Sequence, residues 1–125
     1  MSVAAALILF AHGSRDPEWA APFHAIREAI RAAAPDARVE LAFLEIMQPS
    51  LSEAIEALRG EGVREIVVVP AFMAQGGHLK RDLPELIRRE QVRYKDCVIR
   101  QAKAIGEAPA VIGAIARYAL DAAGA

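Results

Sequence analysis

Four apolar runs, each followed by a segment with helical spacing, restrict this chain more than any other feature of its sequence. The runs cover residues 4–10, 39–44, 65–70 and 97–102. The first and third are continuous rather than alternating, as strands buried on both faces should be. Trp19, Phe23, Ile26 and Ile30 then recur at steps of three or four, as do Leu51, Ile55 and Leu58. Leu83, Leu86 and Ile87 form a third stripe, and Ile112, Ile115 and Ala119 a fourth. Strict strand–helix alternation within 125 residues predicts a single α/β domain over residues 1–125. Its core is expected to be an open, mostly parallel four-stranded sheet with right-handed crossovers and helices on both faces.

The boundaries carry their own chemistry. Asp16-Pro17 sets a capping side chain before a proline at the first helical position, where the missing N–H costs nothing. Ser50 and Glu53 have capping-box spacing. Gly60 and Gly62 bracket the end of the second helix, where a left-handed residue is wanted. Asp82-Leu83-Pro84-Glu85 is expected to cap the third helix, and Pro109 to open the fourth.

Hydrophobic residues make up 54% of the chain and charged residues 25%, enough apolar material for a core and too much for disorder. The net charge of −1, from 15 basic and 16 acidic residues, argues against a general nucleic-acid binder. The apolar opening stops at a polar His-Gly-Ser-Arg-Asp run and has no positive flank. No stretch approaches the roughly 20 apolar residues of a membrane span. A cytoplasmic protein is expected. Its lone cysteine, Cys97, excludes an internal disulfide and a multi-thiolate metal site within one chain, and reads as an inert core residue.

In open parallel sheets, ligands bind beyond the carboxyl ends of the strands. Each of the first three strand ends delivers a metal-competent side chain there: His12 after the first, Glu45 after the second and His78 after the third. Two imidazoles and a carboxylate suit cobalt, iron, nickel or zinc and leave coordination positions open. A neutral imidazole also accepts protons near pH 7. Arg15, Lys80, Arg81 and Lys103 fall on or near the same edge and are expected to make it locally positive, which favours a ligand bearing carboxylates. Gly13 allows a sharp turn before the first helix, and Gly76-Gly77 allows either a tight turn or close approach to a flat ligand. Phe72 is read as core and Met73 as a possible contact to such a ligand. His24, the third histidine, lies within a helix and is given no role. Neither a dinucleotide fingerprint nor a phosphate-binding lysine loop is present, so no organic cofactor is expected.

These residues also resemble a known family. Leu7-Ile8-Leu9-Phe10-Ala11-His12-Gly13-Ser14-Arg15-Asp16 is similar to the opening of the small sirohydrochlorin chelatases. So are Ala42-Phe43-Leu44-Glu45 with Pro49-Ser50, and Val69-Pro70-Ala71-Phe72 running on to Gly76-Gly77-His78-Leu79-Lys80-Arg81-Asp82-Leu83-Pro84. The similarity runs in order from about residue 7 to residue 90, and the C-terminal third matches weakly. It implies an ATP-independent class II chelatase placing Co2+ or Fe2+, with Ni2+ a further candidate, into sirohydrochlorin for cobalamin or siroheme synthesis. The metal is then a substrate. By that resemblance His12 and His78 flank the metal path and Glu45 fills an acidic position beside it. Ser14, Arg15, Gly76, Gly77 and Lys80 are the candidate substrate contacts, and a single-half chain of this kind pairs as a homodimer. Two other readings compete. One is a metal or tetrapyrrole carrier without turnover. The other is a histidine phosphatase, against which Ala11 stands where an arginine should precede the histidine.

Overall fold

The computed structural model describes residues 5–124, and Ala4, placed above in the first apolar run, lies outside them. The chain alternates as expected: β1 (Ala6–Ala11), α1 (Ala21–Ala33), β2 (Val39–Phe43), α2 (Leu51–Gly60), β3 (Glu65–Pro70), α3 (Gly77–Arg93), β4 (Val98–Gln101) and α4 (Pro109–Ala122). The sheet has the order β2-β1-β3-β4 with every pair parallel. The two continuous apolar runs are the two central strands, where both faces must be covered.

Side-chain alternation along those strands splits the core in two. Ile8, Phe10, Ile66, Val68 and Ile99 face α2 and α3, and pack against Leu51, Ile55, Leu58, Leu83 and Ile87. Leu9, Val39, Leu41 and Phe43 face the opposite side, buried beneath the half-buried Trp19, Phe23 and Ile30. The caps follow the sequence closely. Asp16 accepts a hydrogen bond from the Glu18 N–H at 3.0 Å, opening a 3-10 turn over Pro17–Ala20 that leads into α1. Both capping-box bonds form, Glu53 N–H to Ser50 Oγ at 3.1 Å and Ser50 N–H to Glu53 Oε1 at 2.8 Å. Gly62 takes φ +88° just past α2, and Pro109 opens α4. Cys97 is buried, and desolvation pushes its thiol up. The nearby Arg59 guanidinium opposes that shift, and the Asp96 carboxylate adds to it.

Two expectations need correction. The third helix does not start at Asp82: it starts at Gly77, its first turn closed by the Lys80 N–H to the Gly76 carbonyl at 3.0 Å, and Pro84 lies inside it. An internal proline removes one helical hydrogen bond and crowds the preceding turn. Here Leu79, Leu83 and Ile87 bury one face of the helix around it, which offsets that cost. The fourth stripe is also not spent on the core. No residue of α4 is buried, and its main contacts are with the 3-10 turn Ile105–Glu107.

Leu83 is fully buried between α3 and the sheet. Leu83→Ala is expected to lower unfolding free energy by about 2–5 kcal/mol, read from urea melts. A loss below about 1 kcal/mol would mean that α3 does not hold this face as described.

Candidate functional site

Register places the site. Phe10 of β1 lies opposite Pro70 of β3, so two residues further on His12 and Phe72 come side by side. Their rings meet edge to face, with centroids 4.9 Å apart. Phe72 is buried and in turn stands edge-on to Phe10 at 5.9 Å, so a packed aromatic stack backs the exposed imidazole. By the same two-residue period, His12 follows Ile8 and Phe10 onto the α2/α3 face. That is the face on which α3 begins, and His78 sits in its first turn.

His12 and His78 thus line one cavity of about 240 Å³, with Leu44, Gly76, Gly77, Leu79 and Asp82 as its other walls. The walls are mainly apolar. Gly76 is the N-cap of α3 and offers no side chain to the first-turn N–H groups, so the positive end of the helix dipole faces this space. Neither Gly76 nor Gly77 has positive φ, and a Cβ added to either would meet nothing within 4 Å. The tight-turn explanation for this pair therefore fails, and the fold itself does not need glycine there.

Gly13 is different. It has φ +99°, and a Cβ there would run into the Glu45 carbonyl oxygen. The strand-end loops are stitched together at this point: the Leu44 N–H donates to the Ala11 carbonyl at 2.8 Å and the Glu45 N–H to the His12 carbonyl at 3.1 Å.

Glu45 is not brought into the cavity. Leu44 packs against the α2/α3 side, whereas Glu45, in the loop after β2, is exposed and does not line the cavity. Among the described residues no group of three His, Cys, Asp or Glu side chains stands together to hold a metal ion. What the structure unites is the histidine pair. Asp82, one helical turn beyond His78 and on the same cavity wall, went unnoticed in the sequence. The His78–Asp82 spacing of four was its signal, hidden because the helix was expected to start at Asp82.

The other candidates divide. Ser14 is used locally, its Oγ accepting from the Asp16 N–H at 3.1 Å. Arg15, Lys80, Arg81 and Lys103 are exposed and, among the described residues, make no ion pair, whereas Arg27, Arg31, Arg38, Arg59, Arg88, Arg89, Arg93 and Arg100 do. Asp16, Glu45, Asp82 and Glu107 occupy the same edge, so it is not positive by count; its bases are simply free. Met73 is exposed and does not line the cavity. His24 lines a separate, larger cavity of about 370 Å³ near Arg27, Glu40 and Met47, which contains no second imidazole.

Two exposed histidines, one just past β1 and one in the first turn of α3, thus share one mainly apolar hollow at the carboxyl edge of a parallel sheet. The chain belongs to the CbiX family, whose model matches residues 6–122. It is 38% identical over 85 residues to a sirohydrochlorin cobaltochelatase of Methanopyrus kandleri, a match covering 68% of this chain and 59% of that one. The chain thus spans about three fifths of the length of that curated relative. A solved CbiX protein from Marinobacter aquaeolei VT8 superimposes with a TM-score of 0.83 at 32% identity, covering 96% of this chain and 98% of the other. The sirohydrochlorin chelatase SirB from Bacillus subtilis subspecies spizizenii, solved in complex with cobalt, superimposes with a TM-score of 0.77 at 30% identity. That match covers 97% of this chain and 51% of SirB.

Gly13→Ala is expected to destabilise the fold by more than about 2 kcal/mol, since it adds left-handed strain to a clash with backbone. Calorimetry showing an unchanged melting temperature would remove Gly13 from the role of joining the β1 and β2 loops.

Proposed function

We propose that this chain inserts a divalent metal, Co2+ or Fe2+, into sirohydrochlorin in the cytoplasm, with His12 and His78 as the residues that meet the ion. The observation carrying this reading is the shared cavity: two imidazoles, from the end of β1 and the start of α3, in mainly apolar surroundings, with Asp82 on the same wall and, among the described residues, no three-residue metal cluster. Two neutral imidazoles hold a first-row ion while leaving most of its coordination shell open to incoming nitrogens. Insertion exchanges one M2+ for two pyrrole protons, and an imidazole freed of the metal is a competent acceptor near neutral pH. Apolar walls at Leu44 and Leu79 suit a macrocycle face. The open space beside Gly76 and Gly77, the uncapped start of α3 and the free charges of Arg15 and Lys80 suit its peripheral carboxylates. The cobaltochelatase name of the Methanopyrus relative and the cobalt complex of SirB support the choice of metal and ring. Glu45 is assigned a place outside the metal shell, exposed where it relays protons to solvent.

Volume argues for a pair. Pockets for small molecules run to about 300–1,000 Å³. A cavity of about 240 Å³ falls short of this range before a four-ring ligand is considered. A second copy facing the first across the histidines supplies the other half of a cleft, and SirB, of which this chain covers 51%, has the length of two such halves. The working form is accordingly a homodimer.

A carrier that binds without turnover uses the same residues, and only catalysis separates the two. Under anaerobic conditions, sirohydrochlorin with cobalt or iron should be metallated over many equivalents per chain, followed by absorption against the uncatalysed rate. His12→Ala and His78→Ala should each lower that rate by about 10²–10⁴-fold with circular dichroism unchanged. Wild-type rates in the folded double variant defeat the histidine mechanism. A single stoichiometric binding event without released product favours the carrier.

A further inference from the structure

The α1 side of the sheet is one helix short. A parallel sheet is stable when both faces are covered, and here α2 and α3 cover one side while α1 alone serves the other. The deficit shows in the two central strands, where Leu7 and Val69 stay half-exposed, and beside them Val98 of β4 is 58% exposed. A shallow channel therefore runs beside α1 across β1, β3 and β4, apolar at Leu7, Val69 and Val98 and crossed by the exposed Glu65–Arg100 ion pair.

The chain also carries a helix with nothing to cover. At 100° per residue, Val111, Ile112, Ile115, Tyr118 and Ala119 of α4 fall within one stripe about 120° wide, and Arg117 and Asp121 lie opposite. This is the pattern of a helix packed on a core, yet Ile112 is 51% exposed, Ile115 43% and Tyr118 75%. Its launch point is fixed. The Gly106 N–H donates to the Phe72 carbonyl at 3.0 Å, and a Cβ on Gly106 would run into the Met73 backbone. The turn before α4 is thus pinned to the carboxyl edge, and from there every residue of α4 except Val111 is exposed.

We infer that α4 is exchanged between two copies of this chain, the stripe of one lying in the uncovered channel of the other. Donor and acceptor surfaces belong to the same sequence, so one contact implies its reciprocal and the arrangement closes as a two-fold dimer. The area is of the right order. A 14-residue helix is about 21 Å long, and two such helices, each laid in a channel, need bury only about 600–1,000 Å² apiece to reach a standard interface of about 1,200–2,000 Å². This inference rests on the pairing proposed above and names the element that produces it.

The test uses the full chain. Sedimentation should give a dimer mass for the wild type and half that mass for the Ile115→Asp/Tyr118→Asp variant, with circular dichroism retained. In a Cys97→Ala background, Ile115→Cys chains mixed with Val98→Cys chains should yield a disulfide-linked dimer on oxidation. A dimer that ignores the two aspartates, or fails to cross-link, overturns helix exchange and leaves pairing through another face standing. A wild-type monomer overturns pairing itself. A monomeric Ile115→Cys/Val98→Cys double variant that closes its disulfide within one chain shows that α4 folds back on its own sheet, and also overturns exchange.

Discussion

The parallel pairing of β1 with β3 is the constraint from which the rest of the molecule follows. It sets Phe10 against Pro70, and through that register it sets His12 beside Phe72 and sends both toward the face where α3 starts. A slip of one residue would turn His12 to the α1 side and bring Ile8 and Phe10 out of the better-covered core. Burial and chemistry are thus enforced by the same alternation. The side chains that exclude water along the strands and the imidazole exposed beyond their end belong to one row.

That coupling explains which parts of the site could be read without coordinates. His12 and His78 emerge from strand–helix alternation and the rule that ligands gather at carboxyl edges, and both do line one cavity. Glu45 satisfies the same rule by sequence position yet is exposed in the loop after β2, while its neighbour Leu44 takes the place on the cavity wall. The rule locates an edge; it does not assign a face. Asp82 was missed for a different reason. Proline is so strong a boundary signal that Asp82-Leu83-Pro84 reads as a helix start, whereas the packing of Leu79, Leu83 and Ile87 carries the helix through it. Tertiary burial overrode a local preference, and the site gained a helix terminus at Gly77 that the sequence did not advertise.

Long-range polar contacts were equally hidden. Gln91 of α3 reaches the outer side of β4, accepting from the Ile99 N–H at 2.8 Å and donating to the Cys97 carbonyl. The side chain thereby occupies backbone groups that an edge strand would otherwise present to another chain. Arg59 holds both carboxylate oxygens of Asp96 at 2.9 and 2.7 Å, tying the end of α2 to the turn before β4. Neither pairing has a sequence signature, since the partners are eight and 37 residues apart and composition gives no hint of which base meets which acid.

With that edge occupied, growth of the sheet by strand addition is disfavoured, and the unfinished surfaces are the α1-side channel, the apolar stripe of α4 and the half-sized cavity. They call for the same remedy. A cavity of about 240 Å³ suits part of a large flat ligand, and a sheet face lacking a helix suits one supplied from outside. A metal-handling chemistry gains from such a division. On the function proposed above, two imidazoles on one chain, with no three-residue metal cluster among the described residues, would grip a first-row ion weakly enough to surrender it. A macrocycle held between two copies would present its four nitrogens to an ion whose shell the protein has left largely open. Under that proposal, weak retention by each half and enclosure by both would be parts of one design, in which the geometry that completes the fold also completes the site.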